Sequence, residues 1–243
     1  MDNSIYVTLS RQLALFRDMD ATANNIANSN TTGYSGEHLL FNSYITKDIN
    51  QKNRNDMAFA YDVSSYHNFE NGSLHTTGNK LDLAISGEGF FSVETPLGVR
   101  YTRAGNFQLD GNGTLVTADG KAVLNDSGQR ITFPPETKDI VIGEAGNISV
   151  DGAEFAKIGV YKFSNPQLLE RMDGAMFKSK IAPEAADSAR VVQGALESSN
   201  VQPVIELTHM MEVSRSVANT GKLIESVYDL QRKAANAYAQ QSQ

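Results

Sequence analysis

The chain has 243 residues and a net charge of −7, with no cysteine and no tryptophan. Disulfides, thiolate metal ligands and a thiol nucleophile are therefore excluded, and the negative charge argues against a nucleic-acid partner, because phosphate binding needs clustered positive charge. Since no apolar run approaches the roughly 18–20 residues of a membrane span, we expect a chain that is not embedded in a membrane.

The start of the chain lacks the features of a cleaved secretory signal. Residues 1–6 carry no basic group and lead into no apolar core. The charges are unevenly placed, because the first thirty residues carry two arginines and three aspartates, while residues 201–243 carry four basic and four acidic groups. Nearly neutral ends are suited to packing against copies of themselves, and an acidic middle favours solubility.

A long amphipathic helix is predicted near the N-terminus. It begins near Ser4, whose hydroxyl is a suitable cap, and ends at the Asn- and Thr-rich turn that contains Gly33. With that turn it occupies residues 1–34, which we assign to an axial assembly domain. Apolar residues repeat at steps of three and four, which predicts a heptad-like seam interrupted at Gln12: Ile5, Leu9, Phe16, Met19, Ala23 and Ile26.

Three asparagines close this helix, although asparagine is a poor residue for a helix interior. Asn24 and Asn28 share one face, and Asn25 lies between them. Two interpretations stay open. The amides either cap a frayed helix end or bond across a helix–helix seam and fix its register, as buried amides do in coiled coils.

The middle of the chain has a different pattern. Residues 35–80 are polar with scattered aromatics and predict an extended connector. From Leu81 the apolar period becomes two, and Gly-rich turns separate short runs, so residues 81–163 predict a central all-β domain of antiparallel hairpins, shaped as a sandwich or barrel. A hairpin turn is expected at Thr95-Pro96-Leu97-Gly98. Residues 164–200 predict an irregular connector.

The last helix, within residues 201–243, completes the axial assembly domain. Pro203 suits its first turn. Its seam is widened by Leu223 and Leu230 and consists of Met210, Val213, Val217, Thr220, Ile224, Val227, Gln231, Ala234 and Tyr238. The fold class is thus α+β, with terminal helices that pair in a coiled-coil-like unit. Because such helices are marginal alone, we expect the subunit to polymerise through them.

Residues for catalysis are not evident. The histidines (His38, His67, His75 and His209) show no metal-ligand spacing, and no nucleotide or serine-hydrolase motif occurs. Glu88, Glu94, Asp110 and Asp119 lie in the β region and include a possible glycosidase acid and base, but the two aspartates precede turn glycines. We expect no enzyme activity, no metal and no cofactor.

Three blocks resemble the flagellar basal-body rod and hook family of bacteria. They are Ala-Asn-Asn-Ile-Ala-Asn-Ser-Asn-Thr-Thr-Gly-Tyr (23–34), the segment 87–107 that ends in Tyr-Thr-Arg-Ala-Gly-Asn-Phe, and Gln-Gly-Ala-Leu-Glu-Ser-Ser-Asn-Val (193–201). They follow the family's order and leave the connectors unmatched. The resemblance implies a structural subunit of the torque-transmitting rod, exported uncleaved by the flagellar type III apparatus and assembled in the periplasm.

Within the family, chain length and the start Met1-Asp2-x-x-Ile5-Tyr6 resemble the proximal-rod member, with the distal-rod member as the alternative. The partners implied are copies of the chain and other proximal and distal rod subunits. The expected assembly interface comprises Ile5, Leu9, Phe16, Met19, Asn24, Asn25, Ile26, Asn28, Asn200, Met210, Val213, Val217, Leu223, Ile224, Val227 and Leu230.

Two hypotheses of other classes remain. One is an oligomeric β-domain module that binds glycans, although Tyr101, Phe107 and Phe91 do not form an obvious exposed cluster. The other is a glycoside hydrolase that cuts peptidoglycan with Glu88 as a catalytic residue.

Overall fold

The computed structural model describes residues 2–46, 57–172, 174–186 and 188–241. An N-terminal helix, central antiparallel sheets and a C-terminal helix follow one another, which confirms the predicted α+β class. The described residues divide into two units. The helical unit comprises those within 1–27, 37–66 and 202–243, and the β unit comprises those within 28–36 and 67–201.

The helical unit contains both long helices and a pair of long strands. Helix α1 spans Asp2–Ala27 and helix α2 spans Pro203–Gln241. Strands β1 (Glu37–Thr46) and β2 (Met57–His67) pair with each other. Helix α1 packs against both α2 and β1. The bounds of α2 agree with the predicted start, because proline is favoured in the first turn, where its missing N–H costs no hydrogen bond.

The β unit is built from short strands and one 3-10 turn, Pro166–Leu168. The strands are β3 (Leu74–Thr76), β4 (Leu83–Ser86), β5 (Phe90–Thr95), β6 (Gly98–Thr102), β7 (Phe107–Leu109), β8 (Leu115–Thr117), β9 (Ile140–Ile142), β10 (Asn147–Val150), β11 (Ala153–Lys157), β12 (Val160–Lys162), β13 (Glu170–Arg171), β14 (Met176–Lys178), β15 (Glu184–Ala185), β16 (Arg190–Gln193) and β17 (Ala195–Glu197).

The largest sheet has the strand order β13-β14-β6-β5-β12-β15, and a three-stranded sheet has the order β11-β10-β9. Three further pairs are β16-β4, β17-β3 and β7-β8. Neighbouring strands with a described register run antiparallel. The predicted hairpin is present, with Thr95 opposite Gly98 at the turn between β5 and β6.

Consecutive phenylalanines on β5 serve two different hydrophobic clusters, because successive strand residues point to opposite faces. Phe91 is fully buried among aliphatic side chains that include Leu83, Ile85 and Ile158. Phe90 lies in an aromatic cluster with Tyr101, Phe163, Leu169 and Phe177. Both faces of the strand are therefore covered, and the β unit has a hydrophobic cluster on each side of β5.

The two segments that were expected to be connectors contain strands. Residues 164–200 contain strands β13 to β17, and residues 35–80 contain β1 to β3. Strands β13 to β17 have two to four residues and are too short to show a period of two. Strands β1 and β2 are long, with 10 and 11 residues, but they lie in a segment whose mainly polar sequence did not indicate strands. Residues 47–56 of the first expected connector lie outside the described residues. Each of the two units is assembled from segments that are separated in the chain.

Candidate assembly surface

The seam between α1 and α2 buries small and polar side chains most deeply, and larger apolar side chains are half-buried beside them. Its most deeply buried members are Ala14, Asp18, Thr22 and Asn25 on α1 and Glu206, Val213 and Thr220 on α2. Only alanine and valine contribute apolar contacts among them. The hydrophobic effect therefore contributes less to this pairing than a seam of leucines would, at about 1.5–3 kcal/mol for each buried large side chain.

The buried threonines satisfy their hydroxyl groups within their own helices. Thr22 Oγ1 donates to the carbonyl of Asp18 at 2.8 Å, and Thr220 Oγ1 donates to the carbonyl of Ser216 at 2.8 Å. A hydroxyl that bonds the carbonyl four residues earlier needs no partner on the other helix. Threonine can thus lie in the seam without the penalty of an unsatisfied buried donor.

Polar side chains also connect the two helices. Asn25 is 1% exposed, and its Nδ2 donates to Glu206 Oε2 on α2 at 3.3 Å and to the carbonyl of Glu37 on β1 at 2.8 Å. Its Oδ1 accepts from the backbone N–H of Glu37 at 2.9 Å. Further along the seam, His209 Nε2 lies 3.2 Å from both carboxylate oxygens of Asp18. These bonds join defined positions of α1 to defined positions of α2.

Large apolar side chains lie on the outside of the same helices. On α1, residues 6, 9, 13 and 16 form an exposed row with steps of three and four, which we call the outer stripe: Tyr6, Leu9, Leu13 and Phe16. Exposed apolar residues on α2 include Val204, Leu207, Met211, Leu223 and Leu230. Helix α1 is thus inverted relative to a typical surface helix, whose apolar face is turned to the core.

The predicted seam of α1 differs from the buried face. Leu9 and Phe16 are exposed and belong to the outer stripe, while the row that packs on α2 passes through Ala14, Asp18 and Asn25. Steps of three and four occur in both rows, so spacing alone does not fix the rotation of the helix. On α2 the predicted row from Met210 to Gln231 is buried or half-buried, whereas Leu223 and Leu230, which widen it, are 60% and 65% exposed.

The remaining predicted interface residues occupy buried, half-buried and exposed positions. Val213 is buried and Asn24 is exposed; Ile5, Met19, Ile26, Met210, Val217, Ile224 and Val227 are half-buried. Asn28 belongs to a turn of the β unit, where its Oδ1 accepts from Thr31 Oγ1 at 3.1 Å. The two interpretations of the asparagines thus apply to different residues, since Asn25 bonds across the seam and Asn28 stabilises the turn.

The side chain of Asn200 is engaged inside the β unit. Its Oδ1 accepts from the N–H of Gly36 at 2.8 Å, and its Nδ2 donates to the carbonyls of Asn68 at 2.7 Å and Glu70 at 2.9 Å. Its own N–H donates to the carbonyl of Tyr34 at 3.3 Å. Asn200 therefore ties three separated segments of the β unit together.

A buried ion pair joins the second and third sequence blocks. Arg103 Nε lies 2.7 Å from Glu197 Oε2, and both side chains are 3% exposed. The remaining groups are also bonded, since Arg103 Nη2 donates to the carbonyl of Gly87 at 3.0 Å and Glu197 Oε1 accepts from the N–H of Gly72 at 2.9 Å. Burial of two charges is tolerated when their bonds are satisfied in this way. Sequence reasoning missed this pair, although both residues lie inside the blocks.

The first block reaches the same junction through Gly33. Its N–H donates to the carbonyl of Glu197 at 2.9 Å, and its φ is +66°. A Cβ at this position would lie 2.3 Å from the backbone nitrogen of Ala104. Glycine is required here for both reasons, because other residues disfavour positive φ and have no room for a side chain. The three blocks thus meet at one junction of the β unit.

Two of the carboxylates considered for glycoside hydrolysis, Glu94 and Asp110, share a cavity but have lowered pKa values. Glu94 and Asp110 line a cavity of about 320 Å³ together with Arg130, whereas Asp119 lines a different cavity. A hydrogen bond from Arg130 lowers the pKa of Glu94, and bonds from the backbone N–H groups of Thr114 and Asn112 lower the pKa of Asp110. A glycosidase acid needs a raised pKa, so neither carboxyl is suited to donate the proton.

The described residues were also considered for a sugar-binding platform, a metal site and a membrane-spanning helix. Tyr101, Phe107 and Phe91 are all buried, so they offer no exposed platform for a sugar. Among the described residues, no group of three His, Asp or Glu side chains is arranged to hold a metal ion. Within the same residues, no helix is long and apolar enough to cross a membrane.

Three family descriptions match the chain. "Flagella basal body rod protein" matches residues 5–34, "Flagellar hook protein FlgE/F/G D1 domain" matches residues 84–150, and "Flagellar basal body rod FlgEFG protein C-terminal" matches residues 192–237. The first and last cover most of α1 and α2. The second covers the part of the β unit that begins at β4.

Relatives match over nearly the whole chain. The flagellar basal-body rod protein FlgF of Caulobacter vibrioides is 37% identical over 237 residues, covering 96% of this chain and 97% of that protein. FlgF of Mesorhizobium japonicum is 33% identical, with 92% of each chain covered. FlgG of Bacillus subtilis is 30% identical, with 97% and 99% covered. The chain therefore belongs to the family of flagellar basal-body rod proteins.

Proposed function

We propose that the chain is a structural subunit of the proximal rod, and that it polymerises through the outer stripe of α1 and the exposed apolar residues of α2. The observation that carries this proposal is the inverted arrangement of α1. Its large apolar side chains are exposed in a continuous row, while the most deeply buried residues of the seam are mostly small or polar. Exposed apolar rows of this kind mark protein–protein contacts.

The occupant of this surface is the helical unit of a neighbouring subunit, either a second copy or another rod protein. The helical unit presents apolar helix faces with heptad-like spacing, and such faces pack on one another. We place the row on α1 of one subunit against the row on α2 of the next. These are different surfaces, so the contact is heterologous, and heterologous contacts that do not close produce a helical filament. The predicted interface residues that are half-buried would line the margins of the contact: Ile5, Met19, Ile26, Met210, Val217, Ile224 and Val227.

The proposed function is mechanical. The subunit transmits torque along the rod through packed helices, and no step of turnover is involved. We further propose that it is exported by the flagellar type III apparatus without cleavage and assembles in the periplasm. Intact mass measurement of the protein from purified basal bodies tests the absence of cleavage, since a cleaved product would be lighter than the translated chain.

The assembly surface is tested with Leu13→Asp in the full-length chain, expressed in a strain that lacks its own copy. A charge in an apolar contact is costly when it has no partner, so we expect a loss of swimming and basal bodies that stop at an incomplete rod. The control is Arg11→Asp, which places the same side chain at another exposed position of α1 and should preserve swimming. Normal motility with Leu13→Asp would contradict the proposal.

The choice between proximal and distal rod is tested by complementation. The chain is expressed in strains that lack either FlgF or FlgG, and swimming is scored. We expect rescue of the strain that lacks FlgF, because the two FlgF relatives above have higher identity than the FlgG relative. Rescue of the strain that lacks FlgG alone would assign the chain to the distal rod.

A further inference from the structure

The rotation of α1 about its own axis requires an explanation. Its exposed row contains Leu9, Leu13 and Phe16, whereas the row buried against α2 contains Ala14 and Asp18. Burial of large apolar side chains is favourable, so a rotated helix that turns the outer stripe towards α2 would gain hydrophobic contact. Some interaction must favour the observed rotation over this alternative.

Asn25 has the geometry for this role. Its amide bonds both the N–H and the carbonyl of Glu37 on β1, at 2.9 Å and 2.8 Å, and it also donates to Glu206 on α2. An amide that pairs with the N–H and the carbonyl of one residue, through both its acceptor and its donor, has a fixed direction. Two separate elements of the helical unit therefore hold the last turn of α1 at one angle.

A second contact, between Asp18 and His209, also favours the observed rotation of α1. Asp18 lies seven residues, or about two turns, before Asn25 and therefore on the same face of α1. Its carboxylate contacts His209 on α2. A rotation of α1 would withdraw both side chains from their partners and leave the buried carboxylate of Glu206 without the Asn25 amide. Loss of a partner by a buried charged group is strongly unfavourable.

We propose that Asn25 is a positioning residue that sets the rotation of α1 and keeps the outer stripe turned away from α2. The inference rests on the proposed function only in treating the outer stripe as the assembly surface. The rotation itself is a property of the isolated subunit. It can therefore be measured apart from assembly.

The test uses single cysteines, because the chain has none of its own. Phe16→Cys reports the outer stripe and Ala14→Cys reports the buried row, and each is labelled with a maleimide in the purified full-length protein. In the parent chain we expect Phe16→Cys to react about tenfold faster or more, as exposed sites do relative to protected ones. With Asn25→Leu added, the ratio should fall to about one or invert.

The matched control is Asn24→Leu, which makes the same change at an exposed neighbour and should leave the ratio of labelling rates unchanged. Circular dichroism establishes that the helices are intact. An unchanged ratio with Asn25→Leu would overturn the proposal. Equal acceleration at both cysteines would also overturn it, because the amide would then hold α1 in place without setting its rotation.

A second variant serves if Asn25→Leu does not fold. Asn25→Asp preserves the shape but directs a carboxylate at Glu206 and the Glu37 carbonyl, so the labelling ratio should fall. Adding Glu206→Gln removes the repulsion between carboxylates and should restore part of the ratio. If Asn25→Asp merely disrupted the fold, adding Glu206→Gln would not restore the labelling ratio. A ratio that fails to recover would therefore contradict the assignment of Glu206 as the partner.

Swimming of the Asn25→Leu strain separates this inference from the proposed function. A changed labelling ratio with lost swimming supports both. A changed ratio with normal swimming upholds the positioning role and overturns the outer stripe as the assembly surface. An unchanged ratio overturns the positioning role, whatever the swimming phenotype.

Discussion

The helical unit and the β unit place their large apolar side chains in opposite ways. In the β unit, Phe91 and Phe177 are fully buried, and apolar residues line both faces of strand β5. In the helical unit, Leu13 and Leu230 are mostly exposed, and the seam between the helices contains Asp18 and Glu206. The β unit thus buries its large apolar side chains in a core, whereas the helical unit leaves many of its own exposed.

This difference shows that an amphipathic pattern does not identify which face packs within the subunit. In a monomeric protein the apolar face of a helix covers the core. In a subunit of an assembly the same face can be reserved for the neighbour, and the internal contact is then made by small residues and specific hydrogen bonds. Stability and assembly should therefore respond to different substitutions in the two units.

The sharpest test of the comparison is to truncate one buried and one exposed apolar side chain. Phe91→Ala should lower the free energy of unfolding by about 3–5 kcal/mol, because it leaves a cavity in the core. Leu13→Ala should change it by less than about 0.5 kcal/mol, as exposed positions do. Urea unfolding followed by circular dichroism measures both. Similar losses for the two variants would break the comparison.

The buried ion pair of the β unit gives the next largest expected effect. Arg103→Met should destabilise the protein by about 3 kcal/mol or more, because Glu197 would remain as a buried charge without its partner. Arg103→Met combined with Glu197→Leu removes both charges and should recover part of the loss, measured by the same unfolding experiment. A double variant less stable than the single one would show that packing, rather than charge, dominates at this junction.

A smaller effect is expected in the helical seam. Val213→Ala should cost about 1–2 kcal/mol, because Val213 is one of few buried apolar side chains between α1 and α2. Leu223→Ala removes a larger side chain, yet it should have little effect on the isolated subunit because Leu223 is mostly exposed. Thermal unfolding of the two purified variants gives the comparison. A larger loss with Leu223→Ala would place Leu223 in the seam.

The smallest effect concerns pH and the surface pair of Glu94 and Arg130, whose Nε and Oε2 atoms are 2.5 Å apart. The hydrogen bond from Arg130 lowers the pKa of Glu94 below its ordinary value near 4.5. The pair therefore contributes stability above that value and loses it as pH falls through the lowered pKa. Parent and Arg130→Met chains should differ slightly in thermal stability at pH 7 and converge on acidification. A difference in thermal stability that persists at low pH would refute the contribution of this pair.

Long elements and strong turns could be predicted from the sequence. Pro203 indicated the start of α2, and the Thr95-to-Gly98 turn indicated the β5–β6 hairpin. These signals are local, because proline and turn residues act through their own backbone angles. The α+β class followed from the change of apolar period between the ends and the middle of the chain.

The rotation of α1 and the strands beyond residue 164 could not be predicted from periodicity. Both faces of α1 repeat at steps of three and four, and the choice between them depends on the partners of Asn25, which lie at Glu37 and Glu206. Strand β15 has only two residues and exists because β12 lies beside it. Such elements depend on contacts distant in sequence, which overrule local preference.

The outermost strands of the six-stranded sheet limit how that sheet can pair with other chains. Strands β13 and β15, at the two edges, have two residues each. Edges this short offer little main chain to a strand of another molecule, which protects against the cross-β stacking that produces amyloid. The six-stranded sheet is therefore poorly suited to capture another chain at its edges.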